Sequence, residues 1–355
     1  MNNKKILFFT PSLNIGGIER ILLTYAEGLS KLGFSISFVV CHYQGAFTKN
    51  IFKNINLINL NVKHIRYSFF SLARVIKDIG PDYIITANEA TLAVVISKWL
   101  SRNDAKIISS QHSYLNNNET NTITSSLILR FAFKHCYKII AVSRGIETML
   151  STDLQLPNNK IEVIYNPIDI NRINQLSKLA HNCVNEKYIL FVGRLSPVKN
   201  LMFLIDSFNI LLETCNNYKL IIVGDGTERN ILELRIRHLN ISDKIIFIGE
   251  TSNPYPYIKD ASVLILPSFS EAFPTILLEG LCLGKTIVST PTNGAKEILN
   301  FGDYGYISDD FTNIKQFAAL IKYSIHNQLP EDKLRTYANN YNLDNKLHEI
   351  SKLFK

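Results

Sequence analysis

Short runs of apolar residues alternate with amphipathic stretches along the whole chain. The runs at residues 5–10, 35–40, 83–86, 106–109 and 138–142, with a shorter one at 161–164, have strand length. Between them, residues 18–32, 68–79 and 127–135 carry apolar positions at helical spacing. The second half repeats the alternation, with strands expected at 188–192, 219–223, 244–248, 263–266 and 286–289. Nearly continuous apolar strands separated by helices predict parallel sheet covered on both faces. Two such series predict two doubly wound α/β domains. The polar stretch 171–187 (NRINQLSKLAHNCVNEK) has no strand pattern and divides them, giving expected domains of 1–170 and 186–337. Residues 337–354 return to a helical pattern through Tyr341, Leu343, Leu347, Ile350 and Leu353.

Composition supports this division. A chain of 355 residues exceeds one ordinary core and suits two domains of roughly 150 residues each. Hydrophobic residues at 46% and charged residues at 19% exclude a disordered chain. No apolar run approaches the ~20 residues of a spanning helix, and the opening MNNKKILFF lacks the pattern of a signal peptide. Cys41, Cys136, Cys183, Cys215 and Cys282 form no pair at metal-ligand spacing, as expected of reduced thiols in a cytoplasmic protein. The charge is unevenly placed: the net of +8 lies entirely before residue 176. A basic first half suggests an anionic partner there, a phospholipid, a phosphorylated lipid or nucleic acid. Solvated lysines on helix faces fit the same count.

Three segments carry chemistry. Pro11-Ser-Leu-Asn-Ile-Gly16-Gly17-Ile-Glu-Arg follows the first strand, and adjacent glycines opening a helix let a ligand approach the backbone. It is not the dinucleotide fingerprint G-x-G-x-x-G. In Phe191-Val-Gly193-Arg194-Leu-Ser-Pro-Val-Lys199-Asn, two cations sit in the loop leaving a strand, where open α/β sheets bind ligands. A planar guanidinium and a compact ammonium together suit a diphosphate. The third segment, Leu266-Pro-Ser-Phe-Ser-Glu271-Ala272-Phe273-Pro274-Thr275-Ile-Leu-Leu-Glu279-Gly280, places Pro274 at an expected first helical position. Phe273 cannot cap that helix, so its first backbone N–H groups face an anion seat. Glu271 stands before the seat and Glu279 beyond it, and carboxylates accept hydrogen bonds from hydroxyls. Glu279 lies among apolar neighbours, where a carboxylate is costly unless partnered.

PSLNIGGIER, ILFVGRLSPVKN, LIIVGDGTERNILE, KIIFIGE and SFSEAFPTILLEGLCLGKTIVSTPTNGAKEIL, in this order, resemble glycosyltransferase family 4. The last segment carries the Glu-x7-Glu signature of that family as Glu271 and Glu279. The resemblance implies the GT-B fold, two Rossmann-like domains facing across a cleft, with a final helix over 338–355 returning to the first domain. It also implies roles. Arg194 and Lys199 neutralise the donor diphosphate, with Gly193 beside them, and Glu279 holds the ribose. Glu271 touches the transferred sugar, helped by backbone around Ala272, Phe273, Pro274 and Thr275. Phe247 and Ile248 flank the base, Gly16 and Gly17 form a loop over the diphosphate, and His112 is the cleft histidine near the sugar. The chain departs from the pattern in having Ser113 after His112, Ala272 where glycine is common, and Leu281-Cys282-Leu283 where small residues are usual.

By the same resemblance the reaction is a retaining transfer without an obligatory metal, and the chain has no Asp-x-Asp motif. The donor is a nucleotide-sugar, with uracil the expected base and guanine open. The acceptor is a glycan, expected to be linked to a polyprenyl diphosphate, at the cytoplasmic face of a bacterial membrane during surface polysaccharide assembly. Residues 63–77 and 127–138 are the candidate anionic-membrane segments, the second through Arg130, Lys134 and Lys138 on one helical face. Packing by an apolar stripe with snorkelling lysines remains open for both. A nucleotide-sugar epimerase and a non-catalytic GT-B partner subunit are the alternatives. Nucleic acid is not expected as a partner.

Overall fold

The structure, a computed structural model, describes residues 4–13, 17–42, 55–115, 122–180 and 186–354. The chain forms two compact units, Met1–Pro167 with Leu343–Lys355, and Ile168–Asn342. It therefore changes unit after 167 and after 342 rather than at 170 and 337.

In the first unit β1 (Lys5–Thr10), β2 (Ser35–Val40), β3 (Asn56–Asn59), β4 (Tyr83–Ala87), β5 (Lys106–Gln111), β6 (Lys138–Ala141) and β7 (Ile161–Val163) form one sheet. Its order is β3-β2-β1-β4-β5-β6-β7, and every pairing is parallel. The order reverses between β1 and β4, a topological switch point. The helices α1 (Gly17–Lys31), α2 (Phe69–Ile79), α3 (Ala90–Ser101), α4 (Thr122–Lys134) and α5 (Arg144–Thr152) cover it, with α2, α3 and α4 packed side by side. Short edge strand β3 escapes the pattern because Asn-Leu-Ile-Asn is half-buried and polar at both ends.

The second unit opens with α6 (Ile170–Leu176), whose N-cap Asp169 accepts from the Arg172 N–H at 2.9 Å, so part of the polar 171–187 stretch is helical. Next come β8 (Tyr188–Val192), α7 (Leu201–Leu212), β9 (Lys219–Val223), α8 (Arg229–His238) and β10 (Ile245–Gly249). After them are α9 (Tyr255–Asp260), β11 (Val263–Leu266), α10 (Thr275–Cys282), β12 (Ile287–Ser289), α11 (Asn293–Ile298) and β13 (Tyr306–Ile307). The sheet order β10-β9-β8-β11-β12-β13 reverses between β8 and β11. All pairings are again parallel.

The last segment corrects one expectation. Residues 337–354 are not one helix. The chain finishes α12 (Ile314–His326) and α13 (Glu331–Ala338), makes a 3₁₀ turn at Asn339–Tyr341, and only then begins α14 (Leu343–Ser351). Asn342 is extended, and Ile168 donates to the Tyr341 carbonyl at 2.9 Å, which interrupts the helix between the units. Helix α14 packs on α1, and Leu347, Ile350, Leu353 and Phe354 join the core of the first unit.

Candidate active site

The reversal point of the second sheet gathers the predicted cations and carboxylates. The loop after β8 passes through Gly193 and Arg194 into a 3₁₀ turn at Pro197–Lys199. It ends at Asn200, which is left-handed (φ 53) and whose amide donates to the Phe311 carbonyl at 3.2 Å. The loop after β11 is tied to it: Phe269 N–H donates to the Val198 carbonyl at 2.8 Å. That bond sets two side chains distant in sequence against each other. Lys199 Nζ lies 2.6 Å from Glu271 Oε1, and Ser268 Oγ donates to the same oxygen at 2.7 Å. The pair is mostly shielded, with side-chain exposures of 22% and 13%, so its Coulomb attraction is screened less than that of a surface pair. Arg194 is exposed, and among the described residues no carboxylate pairs with it.

Glycine determines how tightly these loops stack. A Cβ on Gly224 would meet the Gly193 carbonyl at 2.0 Å, and one on Gly226 would meet the Leu195 carbonyl at 2.3 Å. Both neighbours are backbone and cannot rotate away. Gly193 N–H donates to Val223 and Leu195 N–H to Asp225, each at 2.9 Å. Gly193 itself lies over the Phe191 ring, 3.1 Å from Cζ to where a Cβ would stand, with Lys199 Cε at 3.8 Å. Phe247 and Ile248, in β10, are half-buried. The Arg229 guanidinium at the start of α8 covers the Phe247 ring at 4.2 Å and pairs with Glu233 at 2.5 Å.

One local expectation is corrected. Pro274 is the N-cap of α10 and not its first residue, because its ψ of 106° is extended; Thr275 begins the helix. No side chain caps this end, while Leu277 N–H bonds to the Pro274 carbonyl at 3.1 Å. Ala272, Phe273 and Pro274 are buried and Thr275 half-buried. Glu279, at 4% exposure, lies within α10. Gly280 allows that helix onto the sheet: a Cβ there would stand 2.6 Å from Leu264 Cδ2. From the other side α11 closes on the loop. Gly294 N–H donates to the Glu271 carbonyl at 3.0 Å, and a Gly294 Cβ would lie 2.7 Å from Ala272 and Glu271 backbone.

In the first unit His112 directly follows β5. Its N–H donates to Asn88 Oδ1 at 2.8 Å, and its Nε2 lies 2.8 Å from Ser110 Oγ. Asn88, left-handed at φ 48 after β4, thereby ties the two strand ends together. Burial pushes the His112 imidazole down to about 4, so it is neutral at pH 7. Gly17 is exposed at the start of α1, whereas Gly16 lies outside the described residues. Lys138 departs from expectation. Helix α4 stops at Lys134 because Tyr137 N–H bonds to the Ile107 carbonyl and starts β6; Lys138 is a strand residue paired with Glu162 at 2.6 Å. It shares no helical face with Arg130 and Lys134.

Motif reading overlooks Ser268, Asn88, Gly294 and Arg229. Each is a common residue type whose role comes only from what the fold sets beside it. Gly294, in the first turn of a helix where glycine is unfavourable, is the one with a local signal.

Comparison with known proteins agrees with this fold. Glycosyltransferase Family 4 matches residues 15–172 and Glycosyl transferases group 1 matches residues 176–342. An uncharacterized glycosyltransferase of Haemophilus influenzae is 26% identical, covering 98% of both chains. A Campylobacter jejuni N-acetylgalactosamine-N,N'-diacetylbacillosaminyl-diphospho-undecaprenol 4-alpha-N-acetylgalactosaminyltransferase is 25% identical, covering 94% of this chain and 92% of its own. Among solved structures, Anabaena HepE in complex with UDP and glucose superposes with a TM-score of 0.82 at 20% identity, covering 99% of each chain. A glycosyltransferase from Rickettsia africae gives 0.80 at 22% identity, covering 100% of this chain and 98% of its own. With two parallel-sheet units, matches that together span nearly the whole sequence, and the Glu-x7-Glu segment at the sheet's reversal point, the chain belongs to the family 4-like glycosyltransferases of the GT-B fold.

Proposed function

We propose that this glycosyltransferase moves a sugar from a UDP-sugar to a glycan acceptor carried on a polyprenyl diphosphate, with retention at the anomeric carbon and without a metal. The setting is bacterial surface polysaccharide assembly at the cytoplasmic face of the membrane. The observation that carries the reading is the contact of Lys199 with Glu271 in loops that also carry exposed Arg194, where the two central strands of the second sheet end. A diphosphate arriving there competes with Glu271 for the Lys199 ammonium. As Lys199 turns to phosphate, the Glu271 carboxylate, still held by Ser268, becomes free to accept from sugar hydroxyls. Arg194, Lys199 and the N-terminus of α10 then oppose charge developing on the leaving diphosphate, and donors fixed in advance lower the barrier selectively. The bond from anomeric carbon to diphosphate oxygen breaks, the bond to the acceptor hydroxyl oxygen forms, and that proton passes to a leaving phosphate oxygen.

Glu279 takes the ribose hydroxyls. Phe247 and Ile248 flank the base, and Gly193 and the backbone of Ala272, Phe273, Pro274 and Thr275 line the diphosphate and sugar. Neutral His112 belongs to the first, acceptor-binding unit in this reading. The choice of donor and acceptor draws on what the relatives' names state: UDP and glucose for HepE, and a diphospho-undecaprenol-linked acceptor for the Campylobacter enzyme. Among the described residues no group of acidic, histidine or cysteine side chains is arranged to hold a metal ion.

Thermal unfolding with UDP, GDP, ADP and NAD in the presence of a chelator tests the donor site. At a hundred times Kd, a ligand specific to the native state adds about 2.7 kcal/mol, which is roughly 5–10 °C in a unit of this size. A shift with UDP that disappears in Glu279→Ala supports the assignment; a shift with NAD alone sinks it. NMR of the product's anomeric proton decides retention, and full turnover in chelator decides metal independence.

A further inference from the structure

We infer that the outer surface of α3 and α4 is the face that docks on an anionic lipid bilayer. The inference deepens the lipid-linked acceptor reading and rests on it for its biological setting, though not for its geometry. Helix α4 turns Leu129, Ala132 and Phe133 inward, and all three are buried. That stripe already provides its packing on the unit. On the opposite side Leu127, Ile128 and Phe131 stand 58%, 45% and 44% exposed; their spacing at i, i+1 and i+4 puts them on one outer face. Helix α3 packs through Ala90, Thr91, Ala93, Val94, Val95 and Ser97, and near its C-terminal end it exposes Trp99 at 50% and Leu100 at 48%.

The two helices meet through these residues. The Trp99 ring packs edge-on against Phe131 at 5.8 Å and against His135 at 4.9 Å. Helix α2 extends the surface, since Ser97 Oγ donates to the Phe69 carbonyl at 3.1 Å, which brings the 79%-exposed Phe70 beside α3. Exposed Trp99 and Leu100 at the end of α3, joined to a second helix with two apolar faces, form an apolar patch that calls for a further apolar partner.

Charge selects the occupant. Residues 63–79, 90–102 and 122–135 contain Lys63, Arg66, Arg74, Lys77, Lys98, Arg102, Arg130 and Lys134 against a single acidic residue, Asp78. Among the described residues no carboxylate pairs with Lys98, Arg102 or Lys134. A second copy stacked on this face would set like charges together. A bilayer presents anionic headgroups to the cations and an acyl boundary to Trp99, Leu100, Leu127, Ile128 and Phe131, which is the pattern of an interfacial helix surface. The basic ladder through Lys138 expected from sequence is replaced here by an apolar patch with a cationic rim.

Trp99 is the chain's single tryptophan and therefore reports on this face alone. Full-length protein is mixed with vesicles of phosphatidylcholine containing 30% phosphatidylglycerol (about 30 mol%, a common anionic fraction) and with phosphatidylcholine alone. Expected are a blue shift of Trp99 emission and quenching by acyl-brominated lipid with the anionic vesicles, both weakened by salt. Lys98→Glu with Lys134→Glu should reduce partitioning about tenfold or more, and Leu127→Gln with Phe131→Gln should abolish the blue shift while thermal unfolding is unchanged. Vesicle binding with unshifted Trp99 emission overturns the inference, as does no binding. A concentration-dependent blue shift without vesicles overturns it in favour of self-association. UDP stabilisation measured on the same samples separates the readings: its loss with vesicle binding intact strikes the donor site alone, and the reverse strikes the docking face alone.

Discussion

Lys199 and Glu271 share one oxygen contact, yet removing either has unequal consequences. Lys199→Met leaves Glu271 largely shielded, with Ser268 as its remaining side-chain donor among the described residues, and stranding a shielded carboxylate costs about 1–3 kcal/mol. Glu271→Gln in the same chain keeps the Ser268 bond, so the double variant should recover most of that stability. Activity should not recover: loss of one charge-stabilising donor costs on the order of 10²–10³ in kcat. Chemical denaturation and initial rates on the three variants check this; recovery of both together would reduce the pair to a structural ion pair. His112 makes a second prediction. Its pKa is lowered to about 4 by burial, whereas an unfolded histidine titrates near 6.5. The unfolded chain therefore binds more protons between these values, and stability, complete above pH 6.5, falls as pH drops toward 4. His112→Gln should flatten that acid limb in denaturation curves. An unchanged limb would mean that His112 is accessible enough to charge without penalty. Sequence carried the identity of these residues but not their contacts. Nothing in a seventy-residue separation tells that Lys199 and Glu271 touch, because the Phe269–Val198 backbone bond that joins their loops has no sequence signature.

Elements were legible in proportion to their burial. Continuous apolar runs such as Tyr188–Val192 and Val263–Leu266 are strands with those limits because both faces are covered. Edge strands β3 and β13 were missed because a strand with one open side needs no apolar run. Helix ends were less legible still, since Pro274 fits both N-cap and first position by φ and only its ψ distinguishes them. The element-level prediction follows from α11. Gly294→Ala would improve helix propensity by up to about 1 kcal/mol, but its Cβ would stand 2.7 Å from the Ala272 and Glu271 backbone. Overpacking against atoms that cannot rotate costs typically about 1–3 kcal/mol, so the variant should be less stable and the Glu271 loop displaced. A lower Tm together with reduced kcat and near-normal UDP affinity is the expected pattern. Stabilisation would show that the loop yields freely and that Gly294 does not set its position.

At the scale of the molecule, the first unit is built from both ends of the sequence. Leu347, Ile350, Leu353 and Phe354 are all buried in its core. The Phe354 ring packs edge-on against Phe34 at 5.4 Å and Tyr83 at 5.0 Å. Lys4 Nζ holds the Phe354 carbonyl at 2.6 Å, and Leu347 fills the space left by Gly28 on α1. Four buried apolar side chains at about 1.5–3 kcal/mol each amount to roughly 6–12 kcal/mol, as large as the whole stability of an ordinary domain. A chain ending at Asn342 should therefore lose the cooperative melting of the first unit. The second unit, Ile168–Asn342, keeps its own core and should still unfold in a single transition that UDP raises. Leu347→Ala, at about 2–5 kcal/mol, should lower only the first unit's transition and leave the UDP-sensitive one in place. Scanning calorimetry of the three proteins, each with and without UDP, resolves the two transitions. If truncation abolished both, the second unit would depend on the first for its fold, and the proposed split between a basic acceptor-binding unit and a self-sufficient donor-binding unit would fail.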